Sequence, residues 1–230
     1  YVWLRRAKAD HPDFTALSTR SSQELTGNVT LGRGLEHFTE GLSEVFIRMA
    51  KALVPGGPFV FTYHHNDPEA YLPLVAALLD AGLYCTTVLP VPGEMEASMH
   101  IQGTGSSVLD SVFVCRVGIQ PESRGWQELL AEVEARLTEE IKLLRRGGVA
   151  VTRGDVFCLL SGHITRVLIH KLWRSWCSAC SVEEKLEVAR ASLKKITSEV
   201  EPRALVDRLM RARVKDDEGK IEQEDLILNL

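Results

Sequence analysis

"GGPFVFTYHHND", residues 56–67, decides the reading of the chain. Two glycines open it, an almost unbroken apolar run follows, and Tyr63, His64, His65 and Asn66 stand together near its end. An apolar run rich in β-branched and aromatic residues, without polar alternation, predicts a strand covered on both faces, an inner strand of a parallel sheet. The abrupt change to phenol, imidazole and amide groups makes the end of that strand the place to look for chemistry. The plainer reading is that these four are ordinary loop and cap residues.

Working outward, "LEHFTEGLSEVFIRMAKALVPGG" (35–57) places Phe38, Leu42, Val45, Phe46, Met49 and Leu53 at helical spacing and stops at the glycines. On the other side, "DPEAYLPLVAALLDAGL" (67–83) predicts a second helix, with Asp67 as N-cap, Pro68 in the first turn and Gly82 at the stop. Pro73 lies close enough to the start to bend this helix without removing it. Two strands follow, "YCTTVLPVP" (84–92) and "SVLDSVFVCRVG" (107–118), joined by the loop "GEMEASMHIQGTGS". Two consecutive strands closing an α/β unit predict an edge hairpin with one antiparallel member. On this reading Phe59–Thr62 lies between two other strands, and the edge belongs to Cys85–Leu89 and Ser111–Cys115.

After Gly118 the pattern becomes helical. Trp126, Leu130, Val133, Leu137, Ile141 and Leu144 mark one helix. Val156, Leu160, Val167 and Trp173 mark a second that carries His163 and His170, and Val182, Leu186, Leu193 and Ile196 a third, before a charged end. The organisation expected is an α/β part over 1–118 and a helical appendage over 119–230.

Composition sets outer bounds. With 230 residues, 45% hydrophobic and 25% charged, the chain can bury a sizeable core. A formal charge of -4 supplies no global basic field for nucleic acid, although local patches are compatible with it. No apolar run approaches the roughly 20 residues that span a bilayer, and no signal-peptide pattern opens the chain, so the expectation is a soluble cytoplasmic protein without a membrane partner. Five cysteines, an odd number without framework spacing, agree with a reducing compartment. The start "YVWLRRAKADHPDF", without Met and within an amphipathic segment, reads as a piece of something longer.

In order, "YVWLRR", the helix ending "AKALVPGG", the strand "FVFTYHH", the helix ending "LLDAGL", the strand ending "VLPVP" and the strand "SVFVCR" resemble the later part of the large adenine-specific DNA methyltransferases, within the class I S-adenosylmethionine-dependent methyltransferases. The likeness covers about residues 1–118, with weaker support from "VTRGDVFCLLSGHITRVL". It implies an α/β fold: the later half of a doubly wound, Rossmann-like sheet with an antiparallel edge hairpin, followed by the helical appendage. It implies DNA as partner, S-adenosylmethionine as cofactor and transfer of its methyl group to the adenine amino group. Ligands of such sheets sit beyond the carboxyl ends of the parallel strands, which makes Tyr63, His64, His65 and Asn66 candidates for binding cofactor or positioning substrate.

The glycine-rich cofactor loop and the Asp-Pro-Pro-Tyr-type tetrapeptide of that family do not occur in this sequence. The adenine amino lone pair is delocalised into the ring, so acceptors must grip its hydrogens while an aromatic ring stacks the base. The resemblance therefore implies a missing N-terminal half of the same protein as partner, and no turnover by this chain alone. The alternative is a non-catalytic interaction or specificity module of a DNA-modification system with a degenerate methyltransferase fold. RNA or another amine as substrate would use the same scaffold.

Four other features carry less. "GTGSS" (103–107) lacks the full P-loop pattern and precedes a strand. "WCSAC" (176–180) has thioredoxin-like spacing but follows a helix, and one Cys-x-x-Cys offers zinc only two ligands. Nothing in the sequence places a carboxylate beside His163 or His170, which read as packed or solvated helix residues. "RLTEEIKLLRRGG" and "RLMRARVK" are basic on one side and suit phosphate contact, against the simpler reading of a solvated charged face.

Overall fold

The computed structural model describes residue 25 and residues 32–65, 67–93 and 107–211. Helix α1 (Leu35–Ala52) ends at a β-turn in which Pro55 and Gly56 are the central residues and Gly57 N–H donates to Val54 O at 2.9 Å. Gly56 has φ +75°, the left-handed conformation that a glycine adopts without steric cost. The chain then enters β1 (Pro58–Tyr63).

β1 departs from the expectation drawn from its composition. Phe59, Phe61 and Tyr63 are half-buried, whereas Pro58, Val60 and Thr62 are exposed, so the strand alternates. The inward row packs on α1: Phe46 lies 5.0 Å from Phe59 and 5.2 Å from Phe61, ring centre to ring centre. The sheet has the order β1-β3-β2, so Phe59–Thr62 sits at an edge of the described sheet and not between two strands. An apolar run fixes what a residue is but not whether a neighbour covers it, and Val60 stays 51% exposed.

After β1, Asp67 Oδ1 accepts the N–H of Glu69 and opens a 3-10 turn, Pro68–Tyr71, that leads into α2 (Leu72–Asp80). Pro73 falls in the first turn of α2, where its missing N–H costs nothing. Leu72, Leu74, Val75, Ala76, Ala77 and Leu78 are all buried. A helix apolar on every side must lie within the protein, and α2 packs against α1 and against two later helices. Gly82, at φ +63°, closes it in a Schellman arrangement, with Leu83 N–H donating to Leu78 O and Gly82 N–H to Leu79 O.

β2 (Tyr84–Pro92) and β3 (Leu109–Arg116) pair antiparallel, as expected of the hairpin members, but β3 occupies the centre. Both β1 and β2 run antiparallel to β3, which makes them parallel to each other, with α2 in the crossover. No neighbouring strands in the described sheet are parallel. β3 alternates cleanly: Leu109, Ser111, Phe113 and Cys115 are buried and the residues between them half-exposed.

Four helices complete the chain: α3 (Trp126–Arg146), α4 (Arg153–Leu172), α5 (Val182–Val200) and α6 (Pro202–Arg211). α4 lies across β2 and β3. Gly162 permits that approach, because a Cβ there would sit 2.6 Å from Ser111 Oγ and 3.1 Å from Val88 Cγ1. Phe61 stacks on Phe113 on the face that α1 and α4 cover. Across the other face run the rows Val60–Val114–Thr87 and Thr62–Val112–Leu89, none of them buried. One hydrophobic core extends from Phe46 through the sheet to Leu209. The described chain is thus a mixed α/β fold with six helices and a small antiparallel three-stranded sheet. No helix among the described residues is long and apolar enough to cross a membrane.

Candidate functional site

Because β1 and β2 are parallel, Tyr63 and Pro92 end at the same margin of the sheet, where β3 begins; Tyr63 lies opposite Ser111, and Pro92 opposite Leu109. The residues singled out from the sequence divide there. Tyr63 Oη donates to Ala70 O at 2.9 Å and its ring meets Tyr71 edge-on at 4.9 Å. Burial pushes the Tyr63 phenol pKa up, so it remains a donor. His65 turns the same way: its Nδ1 accepts Asp67 N–H at 2.9 Å, and its backbone N–H and carbonyl both engage Tyr71 Oη. Asn66 lies outside the described residues.

His64 points toward β3. Its Nδ1 lies 3.0 Å from Leu109 O, 3.4 Å from Asp110 Oδ1 and 3.6 Å from Cys158 Sγ. A carbonyl only accepts, so the contact with Leu109 assigns the proton of the neutral ring to Nδ1. Cysteine, histidine and aspartate in one cluster suggest a nucleophile, but the geometry does not supply one. Cys158 and Asp110 approach the same ring nitrogen, so the imidazole cannot relay a proton between them. The Cys158 thiol is buried, and burial pushes its pKa up.

Tyr71, Cys158 and Asp155 are the residues of this margin that the sequence reading missed. Tyr71 Oη lies 3.5 Å from Cys158 Sγ, and burial first, then Cys158, raises the Tyr71 pKa far above the usual phenol range. Asp155 is fully buried and fully used. Its Oδ1 accepts from Ser107 Oγ, Val108 N–H and Leu109 N–H, and its Oδ2 accepts from Thr152 N–H and Oγ1. One carboxylate therefore caps α4 and anchors the entrance of β3. The Thr-x-x-Asp spacing ahead of an apolar run was the signal that could have found it.

A cavity of about 390 Å³ opens between the start of α1 and this margin, walled by Leu35, Phe38, Tyr63, His65, Ala70 and Pro73. Its lining is largely apolar, with two polar rings and the Arg33 side chain, surroundings that suit a planar heterocycle.

Elsewhere the side chains are committed. His163 does have a carboxylate beside it, contrary to expectation: its Nε2 lies 2.9 Å from Glu140 Oε2, supplied by α3 from 23 positions away in the chain. His170 Nδ1 meets Tyr84 Oη at 2.7 Å. On α3, Arg136 pairs with Glu132 and Lys142 with Glu139, while Arg124 from before the helix, Arg166 from α4 and Arg208 from α6 reach Glu132, Glu132 and Glu134 of the same helix. Partial burial would raise the Glu132 pKa, but hydrogen bonds from Arg124 and Arg136 and the charge of Arg166 outweigh it and hold the carboxyl down at about 2. Cys177 and Cys180 are joined in a disulfide. No group of three or more metal-ligating side chains occurs among the described residues. Of "GTGSS", only Ser107 is described, and its hydroxyl serves Asp155. No protein-family model, curated protein or solved structure matches the chain.

Proposed function

We propose that the chain forms the later part of an S-adenosylmethionine-dependent methyltransferase acting on the adenine amino group of DNA, with the earlier strands and the cofactor loop supplied by a preceding part of the same protein. The observation that carries this reading is the parallel relation of β1 and β2, linked through a helical crossover and ending at the same margin of the sheet, with a cavity at the β1 end walled by Tyr63 and His65. In sheets with parallel strands ligands lie beyond the carboxyl ends, and this cavity is at that end. Among the described residues the second edge of β1 has no partner and Val60 stays exposed, which is where further elements of a doubly wound sheet would pack.

The residues present fit part of the task. Phe38, Tyr63 and Pro73 offer a wall against which a base can lie, and His65 and Arg33 add polar groups to it. They do not fit the cofactor by themselves. Its sulfonium and carboxylate need backbone N–H groups and acceptors that the missing glycine-rich loop would bring, so no step of methyl transfer is assigned to residues of this chain.

One observation favours the non-catalytic alternative. Tyr63 and His65 spend their side-chain hydrogen bonds on the turn that follows β1, as purely structural residues would. Transfer of a labelled methyl group from S-adenosylmethionine to DNA separates the two readings. The proposal expects transfer by the protein that includes the preceding part and none by residues 1–230 alone. Absence of transfer from both, with the longer protein folded and bound to DNA, would establish the module instead.

A further inference from the structure

Outside the strand-end site, the Cys177–Cys180 pair is a reactive feature of the described residues that the proposed function leaves unused. The two sulfurs are bonded, with Cα atoms 5.4 Å apart, in the connection between α4 and α5. Cys177 is exposed and Cys180 half-buried, whereas Cys85, Cys115 and Cys158 are buried. All accessible thiol chemistry of the five cysteines therefore falls on this pair.

The bond adds little that the fold lacks. Cys180 N–H already donates to Cys177 O at 3.2 Å, which closes the same turn. Just before it, Trp176 Nε1 donates to Asp80 Oδ1 at 2.9 Å; just after it, Ser181 and Glu184 form a capping box at the start of α5, and Lys185 reaches Asp80 at 3.0 Å. Both flanks of the turn are thus fixed to the end of α2 without the sulfurs. A bridge across so short a loop also restrains the unfolded chain far less than a long-range one. Exposed bridges of small structural worth are the ones that exchange.

We infer that Cys177 and Cys180 form a reversible dithiol–disulfide site that exchanges with small-molecule thiols such as glutathione, with Cys177 as the sulfur that is attacked. An incoming thiolate forms a bond to Cys177 Sγ as the Cys177–Cys180 bond breaks, and the electron pair leaves on Cys180. A second thiolate then attacks the sulfur of the bound adduct, the small disulfide departs, and the electron pair stays on Cys177. Two small thiols are oxidised to one disulfide while the protein bridge is reduced to two thiols; oxidation by the small disulfide runs the same steps backward. Cys177 is the site of attack because it is the exposed sulfur, and Cys180 is the leaving group held against the start of α5.

The test uses the complete 230-residue chain, glutathione as probe, and alkylation under native conditions read by mass spectrometry. In excess glutathione disulfide the expected count is no alkylated cysteine; in excess glutathione it is two, mapped to Cys177 and Cys180, with the helical circular dichroism unchanged and the count reversed on reoxidation. Cys180→Ser treated with glutathione disulfide should carry one glutathionyl group on Cys177, and Cys177→Ser essentially none. Two thiols that never pair in glutathione disulfide, a bridge that opens only when urea unfolds the chain, or an adduct on Cys180 equal to that on Cys177 would each overturn the inference. The wild-type thiol count stands even if a serine variant fails to fold.

Discussion

Asp155 Oδ1, on α4, accepts the N–H of Leu109, the first residue of β3, at 3.0 Å, while Oδ2 of the same carboxylate closes the capping box of Thr152. Helix start and strand entrance are thereby one unit. Replacing Asp155 by Ala leaves buried donors without acceptors and should lower stability by about 3–5 kcal/mol. Asp155→Asn keeps one acceptor oxygen and should cost roughly half of that. Urea unfolding of the three proteins checks the order, and an Ala variant within 1 kcal/mol (about the worth of a single hydrogen bond) of the parent would contradict it.

Gly162 fixes how closely α4 lies on the sheet. A methyl group there would meet Ser111 Oγ at 2.6 Å and Ser111 Cβ at 3.1 Å. Gly162→Ala should therefore destabilise by about 1–3 kcal/mol despite the better helix propensity of alanine. Combining it with Ser111→Gly should recover part of the loss, so the double variant unfolds later than the sum of the single effects predicts. Strict additivity in the melting data would place the strain elsewhere.

Stability should fall on the acid side in two stages. The His170 pKa is lowered, by burial first and then by the charges of Arg124, Lys171 and Arg166, so folding favours the neutral ring. Its contribution is complete above the ordinary value of 6.5 and is lost as pH falls through the lowered one. Glu132, held at about 2, contributes fully above its ordinary 4.5 and loses that contribution between 4.5 and 2. Urea midpoints measured from pH 8 to pH 3 should decline in both windows, and Glu132→Gln should flatten the lower one. A flat profile below 4.5 in the parent would contradict the network around Glu132.

Much of the fold was legible because its punctuation is local. Pro55 with Gly56, Asp67 with Pro68, and Gly82 each set a boundary through their own backbone chemistry, and the helices they delimit lie where the spacing puts them. The position of β1 was not legible. Val60 is as apolar as an inner-strand residue, and only the pairing of β1 with β3 alone shows it at an edge. The strand-end cluster was half legible. Tyr63, His64 and His65 are contiguous, but Tyr71 meets Cys158 across 87 positions and His163 meets Glu140 across 23, distances over which no periodicity carries information.

The open edge of β1 should make the chain associate. Val60 is exposed on a strand whose second edge has no partner among the described residues, the arrangement that invites strand addition. At high concentration, light scattering should report species larger than the monomer, and Val60→Lys should reduce them while shifting the melting temperature little. Monomeric behaviour of the parent, without binding of a hydrophobic dye, would contradict this account of the edge.

The most direct measurement compares methyl transfer to DNA and thermal stability, side by side, for Tyr63→Ala, His64→Ala, His65→Ala and Asn66→Ala in the longer protein that the proposal calls for. A positioning group acts on alignment, so its loss lowers rate without unfolding the protein. The account predicts that His64→Ala lowers transfer at least roughly tenfold, about 1.4 kcal/mol of transition-state stabilisation, with the melting temperature kept within a few degrees, whereas Tyr63→Ala, whose ring packs on Tyr71, lowers stability as well. Transfer at the parental rate by all four variants, or activity falling only in step with stability, would contradict a functional role for the end of β1.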